Sequence, residues 1–131
     1  MSSPHQRYYP VCSLGQLAHA ECLEFTLPAE LTHQAADTNP ILIEAFALNW
    51  QGQYYCYSNS CPHTNVNLNW TANQFFDLDT QYIQCSLHGA LFDPQSGLCL
   101  RGPCLGESLI ALPILIQDGV VSVDLKALNS A

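Results

Sequence analysis

The stretches CPHTNVNL (residues 61–68) and CSLHGA (residues 85–90) each combine one cysteine with one histidine. One residue separates the pair in the first stretch, and two residues separate it in the second. Thiolate and imidazole are side chains that bind zinc and iron in proteins. The pattern therefore predicts a metal centre held between two loops, with one sulfur and one nitrogen ligand from each. The four candidate ligands are Cys61, His63, Cys85 and His88.

Two kinds of metal centre accept two cysteines and two histidines. A structural zinc ion accepts this set, but zinc fingers usually offer a cysteine pair first and a histidine pair on a helix afterwards. Here each loop contributes one of each, and no helical pattern adjoins either loop. A two-iron cluster explains the mixture better, because one iron can take both thiolates and the other both imidazoles. Zinc remains the alternative interpretation of the four ligands alone.

The residues around these ligands resemble those of the Rieske-type ferredoxins. Leu68 follows the first histidine by five residues, and the C-x-x-H-G motif is followed by Ala90, Phe92 and Asp93. The stretches SGLCLRGP (96–103) and QDGVVSV (117–123) also match that family's pattern, within a resemblance that spans roughly residues 41–125. The resemblance implies one Rieske-type [2Fe–2S] cluster per chain. It also implies that the ligands are Cys61, His63, Cys85 and His88.

The resemblance also implies roles for residues beside the ligands. Gly89 is expected to let the backbone turn tightly after the second histidine, with amide N–H groups directed at sulfur. Gly102 and Pro103 are expected to cover the cluster as a lid. High-potential relatives have a serine and a tyrosine where this chain has Ala90 and Phe92, so both hydroxyl donors are absent. We therefore expect a low reduction potential, near the bottom of the Rieske range of about −150 to +300 mV.

Cysteine usage supports metal binding over a disulfide framework. The count of seven is odd, and the compartment is expected to be reducing. The disulfide that joins the two loops of high-potential relatives has no counterpart, because its positions are Val66 and Leu87 here. The remaining cysteines are expected to be small apolar core residues or unpaired thiols, and a bridge between Cys99 and Cys104 is left open. These remaining cysteines are Cys12, Cys22, Cys56, Cys99 and Cys104.

Charge and hydropathy exclude several classes of protein. The net charge of the 131-residue chain is −8, with three basic against eleven acidic side chains. Nucleic acids and anionic membranes demand the opposite sign, whereas a basic face on a protein partner would attract this chain. The acidity also favours solubility. No apolar run approaches the roughly 20 residues of a membrane helix, and the polar start MSSPHQRYYP does not resemble a signal peptide. We expect a cytoplasmic protein.

Short apolar runs, broken by turn residues, predict an all-β fold. The final run, 108–125, is predicted to be a hairpin that turns at Asp118-Gly119, and Pro113 implies an edge position or a bulge. Turns are also predicted at 49–53 and 93–97. The earlier predicted strands are 8–12, 21–27, 41–50 and 53–57.

The expected architecture is a small antiparallel β-sandwich or barrel of the Rieske type, with an inserted cluster-binding subdomain. It occupies 1–131 as a single domain, and the cluster-binding loops lie at approximately 58–104. Two segments depart from the compact members of the family. Residues 28–40 form a long loop, with one helical turn expected at 29–34, and residues 69–83 are expected to form an extended hairpin beside the cluster.

The function implied by the resemblance is electron transfer. Such a protein is a monomer that takes one electron from a flavoprotein reductase and passes it to a terminal oxygenase or a similar acceptor. It transforms no substrate. The alternative is the Rieske-like small subunit of a nitrite reductase-type complex, bound permanently to a catalytic chain. A complete oxygenase is not expected, because it needs a mononuclear iron site and a substrate domain for which 131 residues leave no room.

Overall fold

A computed structural model describes residues 7–28, 43–62, 67–69, 72–77, 79–86 and 89–129. Within these ranges nearly all of the regular secondary structure is β-strand, which confirms the predicted fold class. The strands are β1 (Tyr8–Ser13), β2 (Cys22–Leu27), β3 (Ile43–Trp50), β4 (Gln53–Ser58), β5 (Ile83–Gln84), β6 (Leu91–Phe92), β7 (Cys99–Arg101), β8 (Ile114–Gln117) and β9 (Val120–Asp124), followed by helix α1 (Leu125–Asn129).

The strands form three antiparallel sheets of three strands each. Their orders are β1-β9-β8, β2-β3-β4 and β5-β6-β7. The third sheet is built from very short strands and carries the second ligand loop at the end of β5. It corresponds to the cluster-binding subdomain that was expected between the fourth predicted strand and the closing hairpin. That the whole chain is one domain stays a prediction.

The sheet β2-β3-β4 lies between two apolar cores. Side chains of β3 alternate between them, as the period of two along a strand requires. Ala45 and Ala47 belong to the core that contains Val121 of β9, whereas Phe46 and Leu48 belong to the core that contains both ligand cysteines. Because both faces of β3 are buried, this strand reads as a continuous apolar run in the sequence.

The predicted turns are present. In the hairpin of β3 and β4, Gln51 and Gly52 both have positive φ (54° and 86°), and Asp118 and Gly119 repeat this between β8 and β9 (54° and 76°). Two successive residues with positive φ match the right-handed twist of the flanking strands. Pro113 immediately precedes β8, an edge strand of its sheet, as was predicted.

The segment 69–83 forms a hairpin base where it is described. An isolated bridge joins Phe76 to Ile83, and the Asp77 N–H donates to the Tyr82 carbonyl oxygen at 3.0 Å. Phe75 is 1% exposed and stacks on Phe46 of β3 with ring centroids 3.9 Å apart. The insertion is therefore anchored in the core around the ligand cysteines. The helical turn at 29–34 lies outside the described residues, as does nearly all of the 28–40 loop.

Helix α1 was not predicted from the sequence. Asp124 caps its first turn, since its Oδ1 accepts hydrogen bonds from the N–H groups of Lys126 (3.1 Å) and Ala127 (3.2 Å). These bonds, together with the neighbouring guanidinium of Arg7, hold the pKa of the Asp124 carboxyl below its usual range. Among the described residues, no helix has the length and apolar character needed to cross a membrane.

Candidate metal centre

The two cysteines of the ligand loops are buried in one apolar core. Cys61 lies three residues beyond the end of β4, and Cys85 directly follows β5. Both are 0% exposed and belong to the same buried cluster of side chains. His63 and His88 lie outside the described residues. The fold therefore brings the sulfur half of the predicted ligand set into one interior region.

Asn59 joins the two ends of the first ligand loop. This side chain is 4% exposed, and its Oδ1 accepts a hydrogen bond from the Leu68 N–H at 2.8 Å. Its Nδ2 donates to Oδ1 of Asn69 at 2.9 Å. Sequence reasoning did not identify Asn59, because a single asparagine before a cysteine gives no pattern, although its position just ahead of the motif is the signal that was available.

A backbone hydrogen bond joins the first loop to the second. The carbonyl oxygen of Leu68 accepts from the Ser86 N–H at 2.7 Å, next to the ligand Cys85. Leu68 is itself fully buried. The two positions at which relatives carry a loop-joining disulfide lie outside the described residues. Non-covalent contacts thus link the loops within the part of the chain that is described.

The second ligand loop closes as a tight turn around Gly89. The Cys85 N–H donates to the Ala90 carbonyl oxygen at 2.9 Å, and the Gly89 N–H donates to the Cys85 carbonyl oxygen at 2.8 Å. Gly89 has φ of +70°, which favours glycine. The predicted turn is present. The Gly89 N–H closes this turn, and the direction of amide N–H groups toward sulfur stays a prediction.

The predicted lid packs directly against the second loop. Gly102 has φ of +110°, and a Cβ built on it would lie 2.8 Å from the Ala90 Cα. Only glycine permits this approach without displacing backbone. Ala90 is 0% exposed beneath it, while Pro103 lies on the outside. The structure therefore brings Gly89, Ala90, Gly102 and Pro103 to the same region as the ligand cysteines.

A third and a fourth cysteine lie in the same buried core as the candidate ligand Cys61. The sulfurs of Cys99 and Cys104 are 3.0 Å apart, and both side chains are 1% exposed. Cys104 donates to the Cys99 sulfur, and Cys99 donates in turn to the Arg101 carbonyl oxygen at 3.3 Å. Burial, and then the neighbouring Cys99 and Cys61, raise the pKa of the Cys104 thiol. The sequence indicated small core residues at 99 and 104, which burial confirms, but not the hydrogen bond between them.

None of the seven cysteines forms a disulfide, and all seven lie within the described residues. The bridge left open between Cys99 and Cys104 is thus not formed. The other non-ligand cysteines fill the core, as predicted. Burial above all raises the pKa of Cys22 and of Cys56 to about 12, and it raises that of Cys12 as well.

The surroundings of the ligand cysteines suit soft thiolate ligands. In the described part of the chain, the buried polar side chains are Asn49 and Asn59, and no acidic or basic side chain is buried. Apolar neighbours that exclude water, with thiols as donors, fit zinc or an iron–sulfur cluster and do not fit a hard cation such as Mg²⁺. Among the described residues no three potential ligands are grouped for a single ion, and both candidate histidines fall outside them.

Solved structures with a similar fold include ferredoxins and oxygenases. The ferredoxin of carbazole 1,9a-dioxygenase from Nocardioides aromaticivorans IC177 is 20% identical, with a TM-score of 0.63 over 91% of this chain and 98% of that one. The Sphingomonas yanoikuyae B1 ferredoxin is 21% identical, with a TM-score of 0.61 over 89% and 97%. The terminal oxygenase of carbazole 1,9a-dioxygenase from Novosphingobium sp. KA1 is 16% identical, with a TM-score of 0.64 over 90% and 29%.

At these low sequence identities, the structural likeness shows that the fold is shared. Comparison with curated proteins found no match. The family model of the Rieske [2Fe-2S] domain matches residues 8–122, which include every strand around the two loops except the last residues of β9. The chain therefore belongs to the Rieske [2Fe–2S] domain family, whose cofactor is a [2Fe–2S] cluster.

Proposed function

We propose that the chain is an electron carrier whose cluster is held by Cys61, His63, Cys85 and His88. It takes one electron at a time from a flavoprotein reductase and delivers it to a terminal oxygenase or a similar acceptor. The observation that carries the ligand assignment is the burial of both loop cysteines in one apolar core beneath the Gly102 lid. His63 and His88 are included in the proposed ligand set because of the spacing of the two sequence motifs.

Each part of the site has a separate task in this proposal. Cys61 and Cys85 supply thiolates from the interior, and the histidines supply nitrogen ligands from the outer part of each loop. When bound, the cluster supplies one reversible one-electron redox centre, at a higher potential than an all-cysteine cluster because two neutral imidazoles replace two thiolates. Leu68, Ala90 and Phe92 are fully buried and exclude water from the sulfur side.

The matched structures support a ferredoxin-like role for this chain. This chain covers 98% of a ferredoxin but only 29% of a terminal oxygenase. It therefore corresponds to a whole ferredoxin and to one part of the oxygenase chain. Other matching structures are described as complexes of oxygenase and ferredoxin in carbazole 1,9a-dioxygenase. A terminal oxygenase is accordingly the acceptor that we infer for this chain.

The ligand assignment is tested by substituting each proposed ligand in the purified holoprotein. Cys61→Ser, Cys85→Ser, His63→Ala and His88→Ala should each lose the visible absorption of the cluster and most of the bound iron and sulfide. Cys22→Ser and Cys56→Ser are matched controls, since both are buried cysteines without a predicted ligand role. A colourless wild-type protein that contains zinc would contradict the assignment. An EPR signal of the reduced protein typical of four-thiolate ligation would also contradict it.

The role as a carrier is tested by stopped-flow mixing of the reduced protein with an oxygenase of the ring-hydroxylating class. Electron transfer from the reduced protein to the oxygenase, together with a monomeric mass in solution, supports the role as a carrier. A protein that stays bound to a catalytic chain, or that aggregates without one, would instead favour the nitrite reductase-type small subunit.

A further inference from the structure

Two buried thiols lie in contact within the segment 99–107, which carries the lid residues Gly102 and Pro103. The Cys104 thiol donates a hydrogen bond to the Cys99 sulfur at 3.0 Å, and the Cys99 thiol donates to a backbone carbonyl oxygen at 3.3 Å. Both side chains are 1% exposed. The S–S bond of a disulfide is about 2.05 Å long. A shift of about 1 Å between these two sulfurs would therefore be enough to form one.

Backbone hydrogen bonds hold the two cysteines opposite each other. The Cys99 N–H donates to the Glu107 carbonyl oxygen at 2.7 Å, and the Glu107 N–H donates to the Cys104 carbonyl oxygen at 2.9 Å. The Leu105 N–H donates to the Gly102 carbonyl oxygen at 3.2 Å, which closes the turn that contains Cys104. Because the backbone already brings the two ends of this loop together, a bond between the sulfurs would order little of the chain that is not ordered already.

Burial protects the two thiols from reagents as long as the segment stays closed. The reactive form of cysteine is the thiolate, and a thiol buried in apolar surroundings is inert. Cys104 follows Gly102, which packs against Ala90 of the second ligand loop. The next residue in the chain, Leu105, is 67% exposed. Opening of this turn would therefore expose Cys104 first, while Cys99 is held in β7.

We propose that Cys99 and Cys104 form a reversible dithiol–disulfide site that is oxidised by small-molecule disulfides of the glutathione class, and that the bond holds the segment 99–107 closed. In the first step the Cys104 thiolate, exposed by opening of the turn, attacks one sulfur of the reagent. A mixed disulfide forms, and one molecule of the reduced reagent leaves. The Cys99 thiolate then attacks the Cys104 sulfur and releases the second reduced molecule. The protein loses two electrons and two protons, which the two released thiols carry away.

The bond acts on the cover of the second ligand loop. A disulfide removes open conformations of the loop that it joins. This loop includes Gly102, whose contact with Ala90 covers the second ligand loop. Neither Cys99 nor Cys104 is a proposed ligand, so the site does not depend on a bound cluster. It adds a response to the redox state of small thiols that is separate from electron transfer.

The sequence of the chain allows a direct assay for this bond. Arg101 lies between the two cysteines and is one of three basic side chains. Trypsin therefore yields the fragments 8–101 and 102–126, and Cys104 is the only cysteine in the second one. The holoprotein is equilibrated with reduced and oxidised glutathione, its free thiols are alkylated in denaturant, and the digest is analysed without reductant. We expect the two fragments to be joined at the oxidised end of the titration and to be separated by dithiothreitol.

Two variants identify the partner of Cys104. Cys99→Ser should abolish the joined fragment, whereas Cys56→Ser, at a buried cysteine of the other core, should retain it. If Cys99→Ser does not fold, fragment mass spectrometry of the joined wild-type digest identifies the partner sulfur. A partner other than Cys99 would overturn the proposal. Separate fragments at every glutathione ratio would also overturn it, as would a glutathione adduct that does not convert to the joined form.

The effect on the segment is measured by limited digestion of the native holoprotein with trypsin, with the products reduced before analysis. Cleavage after Arg101 requires the backbone to open locally. We expect the oxidised form to be cut there about tenfold more slowly than the reduced form, because the bond restricts a short loop. Cys99→Ser, treated with the same oxidant, should be cut at the rate of the reduced wild type. Equal rates in the oxidised and reduced wild type would show that the bond does not hold the segment closed.

Discussion

Asn59 closes the first ligand loop with an interior side chain. Replacing it by alanine leaves the buried Leu68 N–H without its acceptor, now 2.8 Å away, and an unsatisfied buried donor costs about 1–3 kcal/mol. We expect Asn59→Ala to lower the free energy of unfolding by that amount. It should also speed the loss of cluster absorption on dilution into chelator, because the loop that carries Cys61 is released.

A matched control for this prediction is Asn49→Ala. Asn49 is also a buried asparagine with two backbone partners, Leu17 (2.8 Å) and Gly52 (2.8 Å), but it lies in the hairpin of β3 and β4. It should cost similar stability and leave the rate of cluster loss at the wild-type value. Equal rates in the two variants would show that Asn59 acts only on global stability.

Alanine substitutions at Gly102 and Gly106 distinguish two effects of adding a side chain to the lid, which are backbone strain and contact with Ala90. Both have positive φ, but only at Gly102 would a Cβ meet another residue, Ala90. Each alanine variant should lose about 1–3 kcal/mol from backbone strain. Gly102→Ala should in addition lift the lid and accelerate cluster release, measured as the decay of visible absorption under chelator. Release at the same rate in Gly106→Ala would contradict a specific role for the contact with Ala90.

The features of the site that could be predicted from the sequence are those that depend on residues close together in the chain. The turn at Gly89 depends on residues within a few positions of each other, so motif and conformational preference were sufficient to predict it. Gly102 meets Ala90 only because the lid folds over the second loop, and no short-range pattern reports a contact between residues so far apart. The hydrogen bond that the Leu68 N–H donates to Asn59 Oδ1 was missed for the same reason, since side-chain direction across a loop is set by tertiary packing.

The hairpin inserted at 69–83 is part of the core and not an addition to the surface. Phe75 is 1% exposed and stacked on Phe46 at 3.9 Å, in the same buried cluster as the ligand cysteines. Removing a buried phenylalanine costs roughly 3–5 kcal/mol. We expect Phe75→Ala to lose that much stability in urea unfolding followed by circular dichroism. Leu105→Ala, at a side chain that is 67% exposed, should change it by no more than about 0.5 kcal/mol.

Most strands could be predicted because the pattern of apolar and polar residues along them agrees with the positions of the predicted turns. β9 alternates buried Val121 and Val123 with partly exposed neighbours, and Asp118-Gly119 sets its register. Helix α1 has five residues, too few to show helical periodicity, and its start depends on the cap at Asp124. The very short strands β5 and β6 escape pattern recognition in the same way, since two residues cannot alternate.

Exposed apolar side chains lie on the lid of this strongly acidic protein. Leu100 is 45% exposed and Leu105 is 67% exposed, on either side of the buried Cys104. The net charge of −8 attracts a basic partner over a distance, while exposed leucines add contact area once the partner is close. Because the lid adjoins the proposed ligands, docking there would bring an acceptor near the cluster.

This arrangement predicts that Leu105→Glu slows electron transfer to the acceptor. The change removes apolar contact area and places a charge in the docking face, and we expect the second-order rate constant to fall roughly fivefold or more, from about 1 kcal/mol of lost contact. Ile116→Glu is the control, since Ile116 is 45% exposed on β8 in another sheet. Both variants change the net charge from −8 to −9, so the long-range attraction is the same. Stopped-flow rates are compared between variants that have the same midpoint potential and cluster content, so that the position of the added charge is separated from the total charge. Equal rates in the two variants would place the docking face away from the lid.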